Sequence, residues 1–329
     1  MKVSVCMITY GHEKFIRQAI EGVLMQECDF DYELVIANDC SPDTTDEIVK
    51  DIIKTHPKAH KIHYFPHSKN LGMMPNFLFA MAQCKGEYVA MCEGDDYWIT
   101  KDKLQKQVGI LEANPNTGLV YTDVKHYDQK IEKLLDKPAG KEVSKADVIP
   151  VMLKNKFIEF PTTLFRKKVL DKAIEINQTS LLKGVIGDTR ILLETAYLSD
   201  IFFLKEVTTV YRIVEGSASH PKKTDKYIFA LKDSYLCRKE FVERHNLPKV
   251  WLSDSICNTN RGLINTAFIA DNYTDALKLL KNVVIFEMFT YSSKSVIKQK
   301  MTLGIWGKGF LAFLGIGVLR QKMKKNNQT

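Results

Sequence analysis

The 329-residue sequence lacks the patterns on which several large classes of protein depend. It has no G-x-G-x-x-G after its first apolar run, no G-x-S-x-G and no G-x-x-x-x-G-K-[ST]. A dinucleotide oxidoreductase, an α/β-hydrolase and a P-loop nucleotidase are therefore disfavoured. The seven cysteines are odd in number and never form C-x-x-C, which favours reduced thiols over a disulfide or zinc framework.

Acidic residues are missing from the last part of the chain. Eight Lys or Arg residues and no acidic residue follow Glu287, so this segment accounts for the whole net charge of +8. The remaining chain is neutral overall, and a nucleic-acid-binding core is not indicated. The first apolar run, residues 3–8, is too short for the core of an export signal, and we interpret it as a strand of a cytoplasmic protein.

Apolar runs alternate with segments of helical periodicity in the first part of the chain. Strands are predicted at residues 3–8, 32–37, 61–65, 86–92 and 118–122. Helices are predicted between them, and Thr44 with Glu47 has the spacing of a capping box. This alternation predicts an α/β fold with a mostly parallel sheet flanked by helices, in which ligands bind at the carboxyl ends of the strands.

Polar residues cluster at three of these strand ends: T-Y-G-H at residues 9–12, N-D at 38–39, and E-G-D-D at 93–96. In the last cluster, Glu93, Asp95 and Asp96 repel one another unless a cation holds them. Hard divalent cations prefer carboxylate oxygens and are often shared with substrate phosphates. The pattern therefore predicts a Mg²⁺ or Mn²⁺ site, and the alternative is a solvated acidic turn.

The second half of the chain shows a weaker pattern. Strands are predicted at residues 157–165 and 201–212, and a helix at 188–198. We expect a catalytic domain over residues 1–222, with a nucleotide-sugar half (1–125) and an acceptor half (126–222). A helical C-terminal extension (223–300) and a basic, apolar tail (301–329) are expected to follow.

The blocks of the first half, taken in order, resemble the family 2 glycosyltransferases, which have the GT-A fold. The resemblance rests on V-S-V-C-M-I-T-Y-G-H, L-V-I-A-N-D-C-S-P-D-T-T, N-L-G-M-M-P-N and G-E-Y-V-A-M-C-E-G-D-D-Y-W. The second half resembles the family more loosely, through F-P-T-T-L-F-R-K-K-V-L and Y-R-I-V-E-G-S-A-S. The resemblance implies a metal-dependent, inverting transferase that uses a nucleotide-diphosphate sugar.

The resemblance also implies roles for single residues on the donor side. Thr9 and Tyr10 would lie against the base of the nucleotide, and Asp39 would hydrogen-bond its edge. Because Asp39 suits the N3–H of uracil, UDP is the preferred nucleotide, while thymine and guanine present an N–H there too. Three further residues would lie near the ribose and the donor sugar: Asn70, Gly72 and Asn76.

Further implied roles concern the E-G-D-D segment (residues 93–96) and the helix after residue 187. Glu93 and Asp95 occupy the two acidic positions of the family's D-x-D element, with Glu93 in place of the usual Asp. Asp95 would bind the metal, Mn²⁺ or Mg²⁺, with Asp96 beside it. Asp188 would take the proton from an acceptor hydroxyl, and the alternative for Asp188 is a helix N-cap.

The apolar stretch at residues 303–319 is interrupted by Lys308 and is shorter than a bilayer span. With its Trp and its flanking basic residues, it suits an in-plane anchor at the inner membrane surface, and the alternative is a helix packed on the catalytic domain. We therefore expect a cytoplasmic, membrane-peripheral enzyme whose acceptor is a glycan or a lipid-linked saccharide, as in surface polysaccharide synthesis. The Q-x-x-R-W motif of processive synthases is absent, which favours addition of one or a few sugars.

Two other functions remain open at this level. A sugar nucleotidyltransferase would carry a glycine-rich, basic loop after the first strand, whereas this chain has T-Y-G-H-E-K. A carbohydrate-binding or scaffold protein of the same fold without catalytic activity is the other alternative.

Overall fold

The computed structural model describes residues 1–135, 142–154, 157–217, 224–256, 258–259 and 262. Contacts divide the chain into two units, Met1–Lys222 and Lys223–Thr329. The strands of the first unit are β1 (Val3–Thr9), β2 (Tyr32–Asn38), β3 (Ile62–Pro66), β4 (Tyr88–Met91), β5 (Tyr97–Trp98), β6 (Thr117–Asp128), β7 (Lys133–Leu135), β8 (Leu164–Arg166) and β9 (Asp200–Ile213). Its α-helices are α1 (Ile16–Leu24), α2 (Thr45–Thr55), α3 (Met73–Gln83), α4 (Lys103–Ala113), α5 (Val148–Lys154), α6 (Lys167–Lys183) and α7 (Gly187–Leu198).

The strands form one sheet in the order β3-β2-β1-β4-β8-β6-β9-β5. β7 pairs with the last three residues of β6, 126–128. The pairs β3–β2, β2–β1, β1–β4 and β6–β9 are parallel, whereas β8 and β5 run antiparallel to their neighbours. The predicted α/β fold with a mostly parallel, helix-flanked sheet is confirmed. The carboxyl ends of β1, β2 and β4 lie at one edge of the sheet.

The centre of the sheet is apolar on both faces. Every residue of β2 and β4 is buried, and β1 is buried except at Ile8. Helix α1 covers one face because its apolar residues recur every three or four positions, and Ile16, Ile20 and Val23 are fully buried there. This core fixes the strand ends that carry the polar clusters.

Two local predictions were wrong, and one helix was not predicted. Thr44 is the N-cap residue of α2, but its hydroxyl donates to Glu13 Oε2 at 2.9 Å and makes no capping bond. The predicted strand at residues 157–165 is mainly a 3₁₀ turn, Phe160–Thr162, followed by the three-residue β8, because Pro161 cannot donate a ladder hydrogen bond. Helix α6, with 17 residues, was not predicted.

The second unit contains α8 (Thr224–Arg244) and a 3₁₀ turn, Lys249–Leu252. The predicted tail at residues 301–329, with its membrane anchor, lies outside the described residues. Within the part of the chain that the structure describes, no helix combines the length and the hydropathy needed to cross a bilayer.

Gly86, just before β4, supplies a test of how tightly β1 and β4 pack. A Cβ placed there would lie 2.7 Å from Val3 C and 2.8 Å from Tyr88 O, and these backbone atoms cannot move aside. We expect Gly86→Ala to destabilise the protein by about 1–3 kcal/mol, seen as a lower urea midpoint in circular dichroism.

The matched control is Gly109→Ala in α4, where nothing lies within 4 Å of the added Cβ. Because alanine is the better helix former, this variant should be more stable by about 0.5–1 kcal/mol. Equal midpoints for the two variants would contradict the packing described here.

Candidate active site

The E-G-D-D segment lies against the end of β1. Gly94 N donates to Ile8 O at 3.0 Å, which extends the β1–β4 contact beyond the strands. A Cβ on Gly94 would lie 2.7 Å from Thr9 Oγ1 and 2.9 Å from His12 Nδ1. Only glycine fits at this position, and its small size lets the T-Y-G-H and E-G-D-D clusters meet.

Asp96 is a buried carboxylate, with 1% of its surface exposed. Its Oδ1 accepts the backbone N–H of Arg212 at 2.7 Å, while its Oδ2 is buried and has no hydrogen-bond partner among the described residues. Burial, followed by the charges of Asp95 and Glu93, raises the pKa of Asp96 well above its usual range. An additional positive charge at this point would stabilise the ionised form.

Arg212, near the end of β9, holds the segment from the other side. Its Nη1 donates to Asp95 O at 2.6 Å, and its Nη2 donates to Gln18 Oε1. The guanidinium lies 4.3 Å from the ring centroid of Tyr97 and 5.1 Å from that of Phe15. Arg212 belongs to the Y-R-I-V-E-G-S-A-S block, and no role was predicted for it.

Asp95 is less buried than Asp96, since 19% of its side chain is exposed. Its Oδ2 lies 3.9 Å from His12 Nε2, and His12 Nδ1 lies 3.1 Å from Thr9 Oγ1. No separate role was predicted for His12, and the structure places it between Thr9 and Asp95. Glu93 is half-buried at the start of the segment.

Asp39, at the end of β2, binds a neighbouring loop through its carboxylate. Its Oδ1 accepts Leu71 N at 2.6 Å and its Oδ2 accepts Gly72 N at 2.9 Å, while Asn70 Nδ2 donates to Asp39 O at 3.1 Å. Gly72 has a φ of +94°, which favours glycine. The predicted contact of Asp39 with a base stays a prediction, and the two bonds leave about two lone pairs for it.

The other predicted donor-side residues differ in their exposure. Tyr10 is 49% exposed, so its ring is available for stacking, and Thr9 is buried. Asn76 is also buried, where its Nδ2 donates to Ala37 O at 3.0 Å and its Oδ1 lies 3.0 Å from His67 Nε2. Asn76 therefore fastens α3 to β2, and its role near a sugar stays a prediction.

Asp188 lies in the first turn of α7. Its Oδ1 accepts Thr189 N at 2.6 Å, and the N-cap residue is Ile186, so the alternative interpretation of Asp188 as an N-cap is wrong. A Cβ on Gly187 would lie 2.5 Å from Met74 Sδ. The start of α7 therefore packs against the start of α3, next to the loop that Asp39 holds.

The cation predicted for this site can be tested against these groups. No set of three or more His, Cys, Asp or Glu side chains gathers at a metal-binding distance in the part of the chain described. The site nevertheless fits a hard cation, because Asp95 and the unpartnered Oδ2 of Asp96 supply carboxylate oxygens. Mg²⁺ is usually held in this way, by one or two carboxylates, with substrate phosphates and water completing the shell.

Comparison with known proteins identifies the family. The model of Glycosyl transferase family 2 matches residues 4–174, just over half of the chain. The chain belongs to this family. A Mycobacterium tuberculosis protein is 28% identical over 227 residues, which are 69% of this chain and 63% of that relative. The family 2 chain thus spans less than two thirds of the relative's length.

Two solved structures share the fold of this family 2 chain. S. aureus TarS in complex with UDP-GlcNAc aligns with a TM-score of 0.53 and 15% identity, over 88% of this chain and 92% of TarS. The mannosyltransferase PcManGT from Pyrobaculum calidifontis, in complex with GDP-Man and Mn²⁺, aligns with a TM-score of 0.56 and 14% identity. The alignment covers 98% of this chain and 88% of PcManGT. The GT-A fold expected from the sequence is confirmed.

Asp96→Asn tests the buried charge. The folded-state pKa of Asp96 is raised, so the wild type loses stability as the pH rises from about 4 towards that pKa, and the variant does not. We expect the variant to be more stable by about 1–3 kcal/mol at pH 8, with a smaller difference at pH 5, in urea denaturation.

Asp102→Asn is the control, because this exposed carboxylate is paired with Lys106 at 2.8 Å. Its stability should change by less than about 1 kcal/mol. An Asp96→Asn protein that is less stable than the wild type at pH 8 would show that the carboxylate is already neutralised.

Proposed function

We propose that this family 2 chain is a metal-dependent, inverting glycosyltransferase that moves a sugar from a nucleotide-diphosphate sugar to a hydroxyl group. The observation that carries the proposal is the position of the E-G-D-D segment. It lies at the carboxyl edge of β4, beside the end of β1, and Asp96 Oδ2 is buried there without a partner among the described residues. Ligands of parallel α/β sheets bind at this edge.

The donor is proposed to be a UDP-sugar. Tyr10 offers an exposed ring for the base, and Asp39 retains acceptor capacity for an N–H at its edge. Both solved structures are complexes with a nucleotide-diphosphate sugar, UDP-GlcNAc in one and GDP-Man in the other. These complexes support the class of donor, and the choice of uracil rests on Asp39.

The reaction needs a leaving group and a base. A divalent cation held by Asp95 and Asp96 would neutralise the diphosphate as it leaves. Asp188 would accept the proton of the acceptor hydroxyl, whose oxygen forms a bond to the anomeric carbon while the bond to the phosphate oxygen breaks. A single displacement from the opposite face inverts the configuration, so an α-linked donor would give a β-glycoside.

The acceptor is proposed to be a glycan or a lipid-linked saccharide at the cytoplasmic face of the membrane. The support is the basic, apolar composition of residues 301–329, which suits binding to an anionic surface. The absence of Q-x-x-R-W supports the addition of one or a few sugars in surface polysaccharide synthesis.

Asp95→Asn tests the metal and the donor together. We expect one of UDP, GDP, dTDP and CDP to bind the wild type more tightly with Mn²⁺ than without it in calorimetry. In Asp95→Asn, the Mn²⁺-dependent part of the affinity should fall at least tenfold, because a charged ligand is lost. Asp102→Asn should bind as the wild type does.

If a folded wild-type protein binds none of these nucleotides with or without Mn²⁺, the transferase proposal fails. A scaffold of the same fold would then be the better interpretation.

Asp188→Asn tests the base. The variant should bind the nucleotide as the wild type does, while its kcat for transfer falls by about 10²–10⁴-fold, since general base catalysis contributes this much. Asp171→Asn in α6, an exposed carboxylate paired with Lys167 at 2.6 Å, is the control and should retain full kcat. A kcat for Asp188→Asn within threefold of the wild type would remove Asp188 from the mechanism.

A further inference from the structure

His12 lies beside the E-G-D-D segment and has no role in the function proposed above. Its Nε2 lies 3.9 Å from Asp95 Oδ2, with 21% of the histidine side chain and 19% of the aspartate side chain exposed. This distance is too long for a direct bond, since a charge-assisted N–H···O hydrogen bond spans about 2.7–2.9 Å. The two polar groups therefore face each other across a gap, and solvent reaches both of them.

The backbone of His12 is fixed on both sides of the residue. Its N–H donates to Thr45 Oγ1 at 3.0 Å, and Thr45 is fully buried at the start of α2. Its carbonyl accepts Phe15 N at 2.9 Å and Ile16 N at 2.8 Å, where α1 begins. A residue held in this way loses little entropy when its side chain binds a ligand.

The ring of His12 is oriented by Thr9 and has space because of Gly94. Its Nδ1 lies 3.1 Å from Thr9 Oγ1, and a Cβ on Gly94 would lie 2.9 Å from the same nitrogen. When Nδ1–H donates to the threonine hydroxyl, the lone pair of the imidazole is on Nε2, the nitrogen beside Asp95. A hydrogen bond from the other ring nitrogen is the usual way in which proteins fix the tautomer of a metal-binding histidine.

The gap between His12 and Asp95 has the width that two ligands of one cation need. With metal–ligand bonds of about 2.1 Å, two ligands of an octahedral ion are about 3.0 Å apart when adjacent and about 4.2 Å apart when opposite. The 3.9 Å between Nε2 and Asp95 Oδ2 lies within this range. Because this tautomer makes both facing atoms acceptors, a positive or hydrogen-bond-donating group has to lie between them. The other carboxylates of the segment favour a cation there.

We propose that His12 Nε2 is a ligand of the divalent cation, together with the carboxylate of Asp95, and that this nitrogen favours Mn²⁺ over Mg²⁺. The inference rests on the proposed function, because it requires a divalent cation at the E-G-D-D segment. It adds a ligand from the T-Y-G-H cluster and a preference between the two ions, which carboxylates alone do not provide.

The preference follows from the chemistry of the two ions. Mg²⁺ is bound by oxygen ligands and water, whereas imidazole is a good ligand for first-row transition-metal ions. A cation held by His12 and Asp95 also keeps positions for phosphate oxygens of a donor and for water.

Pulsed EPR spectroscopy of bound Mn²⁺ tests the ligand directly. The sample is the full-length chain with Mn²⁺ and whichever of UDP, GDP, dTDP and CDP binds in calorimetry. We expect modulation from a coordinated nitrogen nucleus, which changes when the histidines are labelled with the heavier nitrogen isotope. His12→Gln should abolish this signal, because an amide side chain presents its oxygen to a cation.

The apparent Kd of each ion, measured by calorimetry at saturating nucleotide, tests the preference. In His12→Gln, the Kd for Mn²⁺ should rise about tenfold or more, while the Kd for Mg²⁺ changes less than about threefold, since water can replace the imidazole on Mg²⁺. His12→Glu supplies an oxygen ligand in place of the nitrogen. It should restore the binding of Mn²⁺ without restoring the nitrogen signal.

The matched control is His56→Gln, just after α2. His56 also lies beside one carboxylate, with its Nε2 3.4 Å from Glu21 Oε2 and 20% of its side chain exposed. Its Nδ1 accepts Lys58 N at 3.0 Å, so both of its ring nitrogens are engaged as those of His12 are. This variant should keep the nitrogen signal and both metal affinities of the wild type.

The outcomes separate this inference from the proposed function. A wild-type protein that binds none of the nucleotides, or binds them equally with and without Mn²⁺, overturns the metal-dependent transferase and this inference together. Mn²⁺-dependent binding without a histidine nitrogen signal, or with a signal that survives His12→Gln, overturns only the role of His12, and a bridging water would then explain the gap. Equal affinities of the wild type for the two ions overturn the preference.

Discussion

The candidate site depends on the contact between Arg212 and the E-G-D-D segment. The segment brings three carboxylates to one place. The positively charged guanidinium of Arg212 donates a hydrogen bond to the backbone of this segment, at Asp95 O. The same residue donates its backbone N–H to Asp96 Oδ1. Through these two bonds, β9 fixes the position of the segment and places a positive charge beside its carboxylates. The rings of Tyr97 and Phe15 on the guanidinium compensate for part of its burial, which lowers the pKa of Arg212.

Much of the remaining site is built from side chains that bind backbone. Asp39 accepts two amides of the loop before α3, and Asn76 donates to the end of β2. Such contacts set the position of a loop without depending on the identity of the loop side chains. They hold the loops and strand ends in place around Asp95 and Tyr10, and groups that are already ordered lose less entropy when a ligand binds.

The sequence predicted best those parts of the fold that depend on neighbouring residues. Strands β1, β2 and β4 were predictable because each is an almost unbroken apolar run, and the start of α7 because a helical pattern follows Gly187. The E-G-D-D segment was found because charges at the end of an apolar run are unusual. A metal site there was predicted from the carboxylates alone. The assignment of Asp95 as its ligand, and the expected roles of Thr9, Tyr10 and the loop at residues 70–72, came from the family resemblance.

The parts that were missed depend on distant residues. β5 has two residues and exists because Tyr97 pairs with Val210 and Trp98 with Thr209, which no local pattern shows. The hydroxyl of Thr44 binds Glu13, a residue outside its helix, in preference to the local cap. Arg212 was not recognised because its hydrogen-bond partners are 116 or more positions away in sequence.

The bonds of Asp39 have a consequence for attempts to redesign this protein. Both of its carboxylate oxygens already accept backbone N–H groups, from Leu71 and Gly72. The residue that would bind the base therefore also connects the end of β2 to the loop before α3. Replacing it would release the loop at the same time as it altered the recognition of the base. On the proposal that Asp39 reads the base, libraries that aim to change the base preference should therefore vary the loop together with Asp39.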